Sequence, residues 1–227
     1  MINKQQIKGI LFDMDGLILD TEKLYCRFWQ EAARVLGYPM TMEQALGMRS
    51  LNRYAGEAKL KSYFGEGISY TEVREKRIEL MDAFVEKEGV TTKPGIWELL
   101  AFLQEKQIRT AIATSSPIGR TKKYLSSVHL ENEFDAIVSG YMVEHGKPEP
   151  DIYVYAARQL GLKPENCIVL EDSPAGILAA YRAGCMPVMI PDLAQPDEEV
   201  RGLCRYVYPT LLDVIKMLDR ENAEAGR

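Results

Sequence analysis

The chain has 227 residues, 46% of them hydrophobic and 27% charged, with a net charge of −5, a balance that excludes a disordered or fibrous protein and leaves room for a core plus a substantial insertion. No long basic block occurs, which argues against bulk electrostatic binding to nucleic acid, so an anionic ligand has to be held by locally placed donors. Met1 to Lys8 is polar and leads into a short apolar run, and Cys26, Cys167, Cys185 and Cys204 form no CxxC pair. The expectation is a cytoplasmic protein with reduced thiols, no membrane segment and a monomeric state.

Ile7 to Phe12 reads as a buried strand. The stretch that follows is helical in pattern at Thr21 to Leu36, Leu51 to Phe64 and Thr71 to Lys87, with no strand among them. It reads as an inserted helical subdomain whose junctions lie at Gly16 to Leu19 and Gly89 to Gly95, where glycine and proline break the pattern. Apolar runs then recur at Ile108 to Ala113, Ala136 to Val138, Cys167 to Leu170 and Pro187 to Ile190. They alternate with helical patterns at Ile96 to Lys106, Pro117 to Ser127, Ile152 to Leu160, Ala175 to Ala183 and Leu211 to Leu218. This alternation predicts an α/β protein with a parallel sheet covered on both faces. The expected domains are residues 1–16 with 92–227 for the α/β core and 17–91 for the insertion.

The chemistry-bearing residues fall at strand ends. Asp13-Met14-Asp15-Gly16 sets two carboxylates at the carboxyl edge of the first strand, where open α/β sheets bind ligands, although ordinary turns use the same residue types. A calcium loop fits less well, because the further oxygen ligands and the closing glutamate are absent downstream. Thr114-Ser115-Ser116-Pro117 stands at an expected helix N-terminus, where free amides and the helix dipole attract phosphate and where Ser116 equally suits a plain capping role. Gly146-Lys147-Pro148-Glu149-Pro150-Asp151 carries a lysine stiffened between glycine and proline. Glu171 and Asp172 close the fourth run ahead of Ser173-Pro174, a cap and a first helical residue. With Asp13 and Asp15 the two acids make an oxygen-rich set suited to Mg²⁺.

Taken in order, Asp-x-Asp-Gly, the strand-ending Thr114, Lys147 in Lys-Pro-x-Pro-Asp and Glu-Asp-Ser-x-x-Gly resemble the haloacid dehalogenase superfamily from Ile7 to about Gly184. The helical insertion is similar to the cap of its β-phosphoglucomutase-like branch. The resemblance implies a doubly wound, Rossmann-like core with the first strand central, and a Mg²⁺-dependent phosphatase acting on a small phosphorylated metabolite such as a sugar phosphate. It implies Asp13 as nucleophile, and Asp15 as the acid for the leaving oxygen and then the base for water. By the same resemblance Asp13, Glu171, Asp172 and the Asp15 carbonyl hold Mg²⁺, while Thr114, the Ser115 amide and Lys147 bind phosphate oxygens. Arg49, between two predicted cap helices, is the candidate contact for the organic half, and the cap is expected to open and close over the cleft.

Two rival activities stand beside this one. A sugar-phosphate mutase of the same branch usually carries a histidine in the first cap helix, where this chain has Tyr25. A receiver-like signalling protein phosphorylated on aspartate without turnover needs only one small domain, and its acidic pair follows the first strand rather than the fourth.

Overall fold

The computed structural model describes residues 7–49, 51, 53–193 and 195–225. Six strands form one sheet: β1 (Gly9–Phe12), β2 (Arg109–Thr114), β3 (Ala136–Ser139), β4 (Cys167–Glu171), β5 (Met186–Met189) and β6 (Tyr206–Val207), in the order β3-β2-β1-β4-β5-β6. Every neighbouring pair is parallel. Ile10, Leu11, Phe12, Ala111, Ile112, Ala113, Ile168, Val169 and Leu170 are all fully buried. These strands are apolar on both faces because helices cover both, which is why they read as continuous runs rather than alternating ones.

The helices are α1 (Glu22–Val35), α2 (Met42–Leu46), α3 (Arg53–Phe64), α4 (Tyr70–Glu88), α5 (Ile96–Glu105), α6 (Ile118–Ser127), α7 (Asp151–Gln159), α8 (Pro174–Arg182), α9 (Glu198–Leu203) and α10 (Leu211–Ala225). Helices α7 and α8 lay Ile152, Tyr153, Ala156, Ala157, Ala179 and Ala180 against Leu11, Ala113 and Val169 of the sheet. Small residues on α7 and α8 let both helices sit close to the strands, which carries their N-termini to the carboxyl edge. Among the described residues, no helix is long and apolar enough to cross a membrane.

The chain divides into two compact units. One gathers the residues through Leu19 and from Thr91 onward; the other is Asp20–Val90. The first is the α/β unit. Its two chain crossings meet in a short antiparallel bridge between Leu19 and Thr92, reinforced by the Lys93 amide donating to the Ile18 carbonyl at 2.8 Å. The second unit carries α1 to α4 around a core of Cys26, Trp29, Ala32, Ala33, Met40, Leu60, Tyr70 and Val73. Within it the Arg77 guanidinium stacks on Tyr25 and Trp29, 4.6 and 5.1 Å from the ring centroids.

Among the described residues, one strand and two α-helices go beyond the expected set. Strand β6 has only two residues, both half-buried, so it presents no apolar run. Helices α2 and α9 span five and six residues, too few to establish a helical period.

Leu11 lies at 0% exposure in the central strand, so Leu11→Ala should cost about 2–5 kcal/mol of unfolding free energy. Urea denaturation checks this; a loss below about 1 kcal/mol would contradict the packing described.

Candidate active site

The register of the sheet assembles the site. Phe12 pairs with Ile112 of β2 on one side and Leu170 of β4 on the other, so the residues that follow these three strands emerge next to one another. The Asp13 amide donates to the Leu170 carbonyl at 3.0 Å, which fixes Asp13 beside the end of β4. The chain turns sharply directly afterwards: Gly16 sits at φ 85°, a left-handed conformation natural to glycine, and its amide donates to the Leu19 carbonyl. Strand order reverses direction about β1, and such a switch point leaves a crevice at the carboxyl edge of an open sheet.

Lys147 occupies that crevice. Its ammonium donates to Asp13 Oδ1 at 2.5 Å, to Glu171 Oε1 at 2.6 Å and to the Ala113 carbonyl at 3.1 Å, engaging all three protons that an ammonium carries. Its side chain is 7% exposed and the ring of Tyr153 lies 5.0 Å from Nζ. Burial works to lower the ammonium's pKa, but the charges of Asp13 and Glu171 outweigh it and hold the group above the usual lysine value.

Glu171 is fully buried and accepts from five donors. Lys147 and the Tyr153 hydroxyl, at 2.7 Å, meet Oε1, while the Asp172 amide, the Ser173 amide and the Ser173 hydroxyl meet Oε2 at 3.0, 3.0 and 2.9 Å. Burial raises its pKa, yet Lys147 and these hydrogen bonds more than offset that and hold it below the ordinary carboxylate range. Ser173 serves twice, since its hydroxyl also caps α8 by accepting from the Gly176 amide at 3.1 Å. The helix comes this close only because residue 176 lacks a side chain; a Cβ there would overlap the Glu171 carboxylate.

Asp13 responds differently. Burial pushes its carboxyl up to about 8, with Glu171 and Asp15 adding to the rise and Lys147 opposing it. Asp13, Glu171 and Asp172 are all buried, and each offers an oxygen within 4.8 Å of the others. Three buried carboxylates against one ammonium form a hard, anionic donor set, and a divalent cation with a preference for oxygen fits it in both charge and chemistry. Glu171 would join such an ion only by giving up one of its five donors.

Thr114 ends β2 at 1% exposure, and its hydroxyl accepts from the Ser116 amide at 3.1 Å. Ser115, between them, is exposed. The capping role open to Ser116 is not the one it takes: Pro117 occupies the N-cap of α6, with no side-chain capping bond, and the Ser116 hydroxyl donates instead to Asp15 Oδ2 at 3.0 Å. Arg49 belongs to the helical unit, where its Nε donates to Glu22 Oε2 at 2.7 Å with both side chains 12% exposed. Tyr153 is a contributor that the sequence did not single out, while Gly176 was read only as the last residue of Glu-Asp-Ser-x-x-Gly and Ser116 as a possible cap. Tyr153 lies within the apolar stripe of α7 and reads as core, so its hydroxyl is the one available signal.

A family profile described as haloacid dehalogenase-like hydrolase matches residues 7–184. The phosphorylated carbohydrates phosphatase of Thermotoga maritima is 34% identical over 178 residues, covering 78% of this chain and 82% of that protein. Hexitol phosphatase A of Escherichia coli K12 is 34% identical over 189 residues, covering 81% and 82% respectively. Among solved structures, CbbY from Rhodobacter sphaeroides in complex with phosphate superposes with a TM-score of 0.77 at 26% identity, covering 92% of this chain and 96% of that one.

The close approach of α8 yields a paired prediction. Gly176→Ala should destabilise the protein by roughly 2 kcal/mol or more, because overpacking falls on a fully hydrogen-bonded buried carboxylate that cannot retreat. Gly119→Ala in α6, where nothing lies within 4 Å of the added carbon, should be neutral or stabilising by up to about 1 kcal/mol. Thermal unfolding of both variants is the check, and equal effects would mean that Gly176 carries no special constraint.

Proposed function

The chain belongs to the haloacid dehalogenase-like hydrolases, and from that membership we propose that it is a magnesium-dependent phosphatase of small phosphorylated metabolites working through a phosphoaspartate at Asp13. The observation that carries this reading is the buried contact of Lys147 with both Asp13 and Glu171. A lysine between two acids at a sheet's carboxyl edge keeps a carboxylate oriented for attack and supplies positive charge where phosphoryl oxygens arrive.

In this reading Asp13 Oδ attacks phosphorus, a P–O bond to Asp13 forms, and the bond to the leaving oxygen breaks. Asp15 gives its proton to that oxygen. Water then attacks the phosphorus of the aspartyl phosphate, its proton passes to Asp15, and Asp13 leaves as a carboxylate. Thr114, the Ser115 amide and Lys147 orient the remaining phosphoryl oxygens, with Lys147 exchanging one protein acceptor for the substrate. Mg²⁺, held by Asp13, Glu171, Asp172 and the Asp15 carbonyl, would neutralise charge on the phosphoryl group and keep the nucleophile from recoiling from it. Positioning and charge neutralisation supply most of the catalysis in phosphoryl transfer.

For the organic half we propose a phosphorylated sugar or polyol, the class named in the relatives from Thermotoga maritima and Escherichia coli. The α/β unit is the catalytic core in this proposal, and the helical unit acts as the cap that selects the substrate, with Arg49 as its candidate contact. Tyr25, standing where a mutase carries histidine and packed under Arg77, favours hydrolysis over phosphoryl return.

Asp13→Asn should lower phosphate release from a sugar phosphate by roughly 10³-fold or more with the fold intact, since an amide of nearly the same size cannot attack phosphorus. Release should also vanish on chelation, return with Mg²⁺ and fail with Ca²⁺, whose looser coordination misplaces the carboxylate. Near-normal turnover by the Asn variant, or full activity without a divalent ion, would sink the proposal.

A further inference from the structure

Ser116 has no part in the scheme above, yet it is 7% exposed and its hydroxyl reaches across the fold to Asp15 Oδ2 at 3.0 Å. We propose that Ser116 is a positioning residue that orients the Asp15 carboxyl for both of its proton transfers, a role that rests on the phosphatase reading and adds a residue to it. Two hydrogen bonds and the following proline hold Ser116 rigidly enough for that work. Its amide donates to the Thr114 hydroxyl at 3.1 Å, and its carbonyl accepts from the Ser139 hydroxyl at 2.7 Å, with Ser139 itself 1% exposed at the end of β3. Pro117 follows it and restricts its backbone to extended conformations. The hydroxyl is not spent on capping α6, whose N-cap makes no side-chain bond.

The chemistry explains why a hydroxyl suits this place. Asp15 alternates between a protonated acid, which gives its proton to the leaving oxygen, and a carboxylate, which takes one from water. An arginine or lysine partner would favour only the ionised form. A serine hydroxyl can donate to Oδ2 in both states, which leaves Oδ1 to carry the proton toward the leaving oxygen in the acid and to take one from water in the carboxylate. Orientation matters most where proton transfer limits the rate, which means esters with poor leaving groups.

The test compares Ser116→Ala with the parent enzyme on a sugar phosphate, whose alkoxide leaves poorly, and on 4-nitrophenyl phosphate, whose phenolate needs no proton. The expected result is a loss of about 10- to 100-fold in the single-turnover rate of leaving-group release from the sugar phosphate and less than about threefold in that rate from the aryl ester, a fraction of the full general-acid contribution. An equal loss on both esters would assign Ser116 to phosphate binding or to mere structure, and no loss on either would remove it from the mechanism. A crystal structure of the variant supplies a readout independent of turnover. Asp15 should adopt a different side-chain orientation in it, and an unmoved Asp15 would overturn the proposal even if the phosphatase reading stood. Conversely, a parent enzyme inactive on both esters with Mg²⁺, in which Asp15 nonetheless swings on removal of the hydroxyl, would leave Ser116 as its positioning partner and discard the phosphatase.

Discussion

The buried bridge from Lys147 to Asp13 and Glu171 is the constraint on which the rest of the α/β unit depends. Taking charged groups out of water costs several kcal/mol apiece, and the cost is met only when every charge finds well-aligned partners. Here the ammonium has three acceptors and Glu171 has five donors. The surrounding sequence reads as the set of conditions for that arrangement. Tyr153 brings a hydroxyl from α7, Ser173 brings two donors from the start of α8, and Gly176 removes the atom that would collide with the carboxylate. Taking away any one of these leaves a buried charge partly unsatisfied, which is costlier than never having built the network.

The asymmetry between the acids follows from the same geometry. Glu171 is saturated with donors and held ionised, whereas Asp13 is raised first by burial, shares one lysine and feels the charges of Glu171 and Asp15. A carboxylate destabilised in this way is a stronger nucleophile and a stronger ligand than one that is fully solvated. Burial and the neighbouring acids both disfavour its charge, and a divalent cation relieves both. In the proposed reading, a phosphate ester delivered to this edge would meet the Asp13 oxygen, the acids proposed to hold a cation and the Thr114–Ser115 turn within three adjacent strand ends.

Much of this was legible in the sequence because strand ends are fixed by strong signals. Buried parallel strands are unbroken apolar runs, so their last residues can be read to within a position or two, and Asp13, Thr114, Glu171 and Asp172 all fall there. What escaped reading did so for physical reasons. Strand β6 pairs with β5 through Val188–Tyr206 and Met189–Val207 and exists by docking alone. Helix α2 is one turn long and announced only by its Thr41–Gln44 capping box, a pattern that short polar stretches also produce by chance. Ser116 has the composition of a helix cap, and only its partner 101 residues away shows that the hydroxyl points elsewhere. Tyr153 has the periodicity of core and differs from phenylalanine by one atom.

The central claim is that Asp13 becomes covalently phosphorylated during turnover. Rapid acid quench of the enzyme with substrate and Mg²⁺, followed by peptide mass spectrometry, measures this directly. The account predicts a peptide containing Asp13 heavier by one phosphoryl group, appearing within a single turnover and absent when Asp13 is replaced by asparagine. Phosphate released at the full rate with no such adduct at any quench time, or an adduct on a different residue, would contradict it.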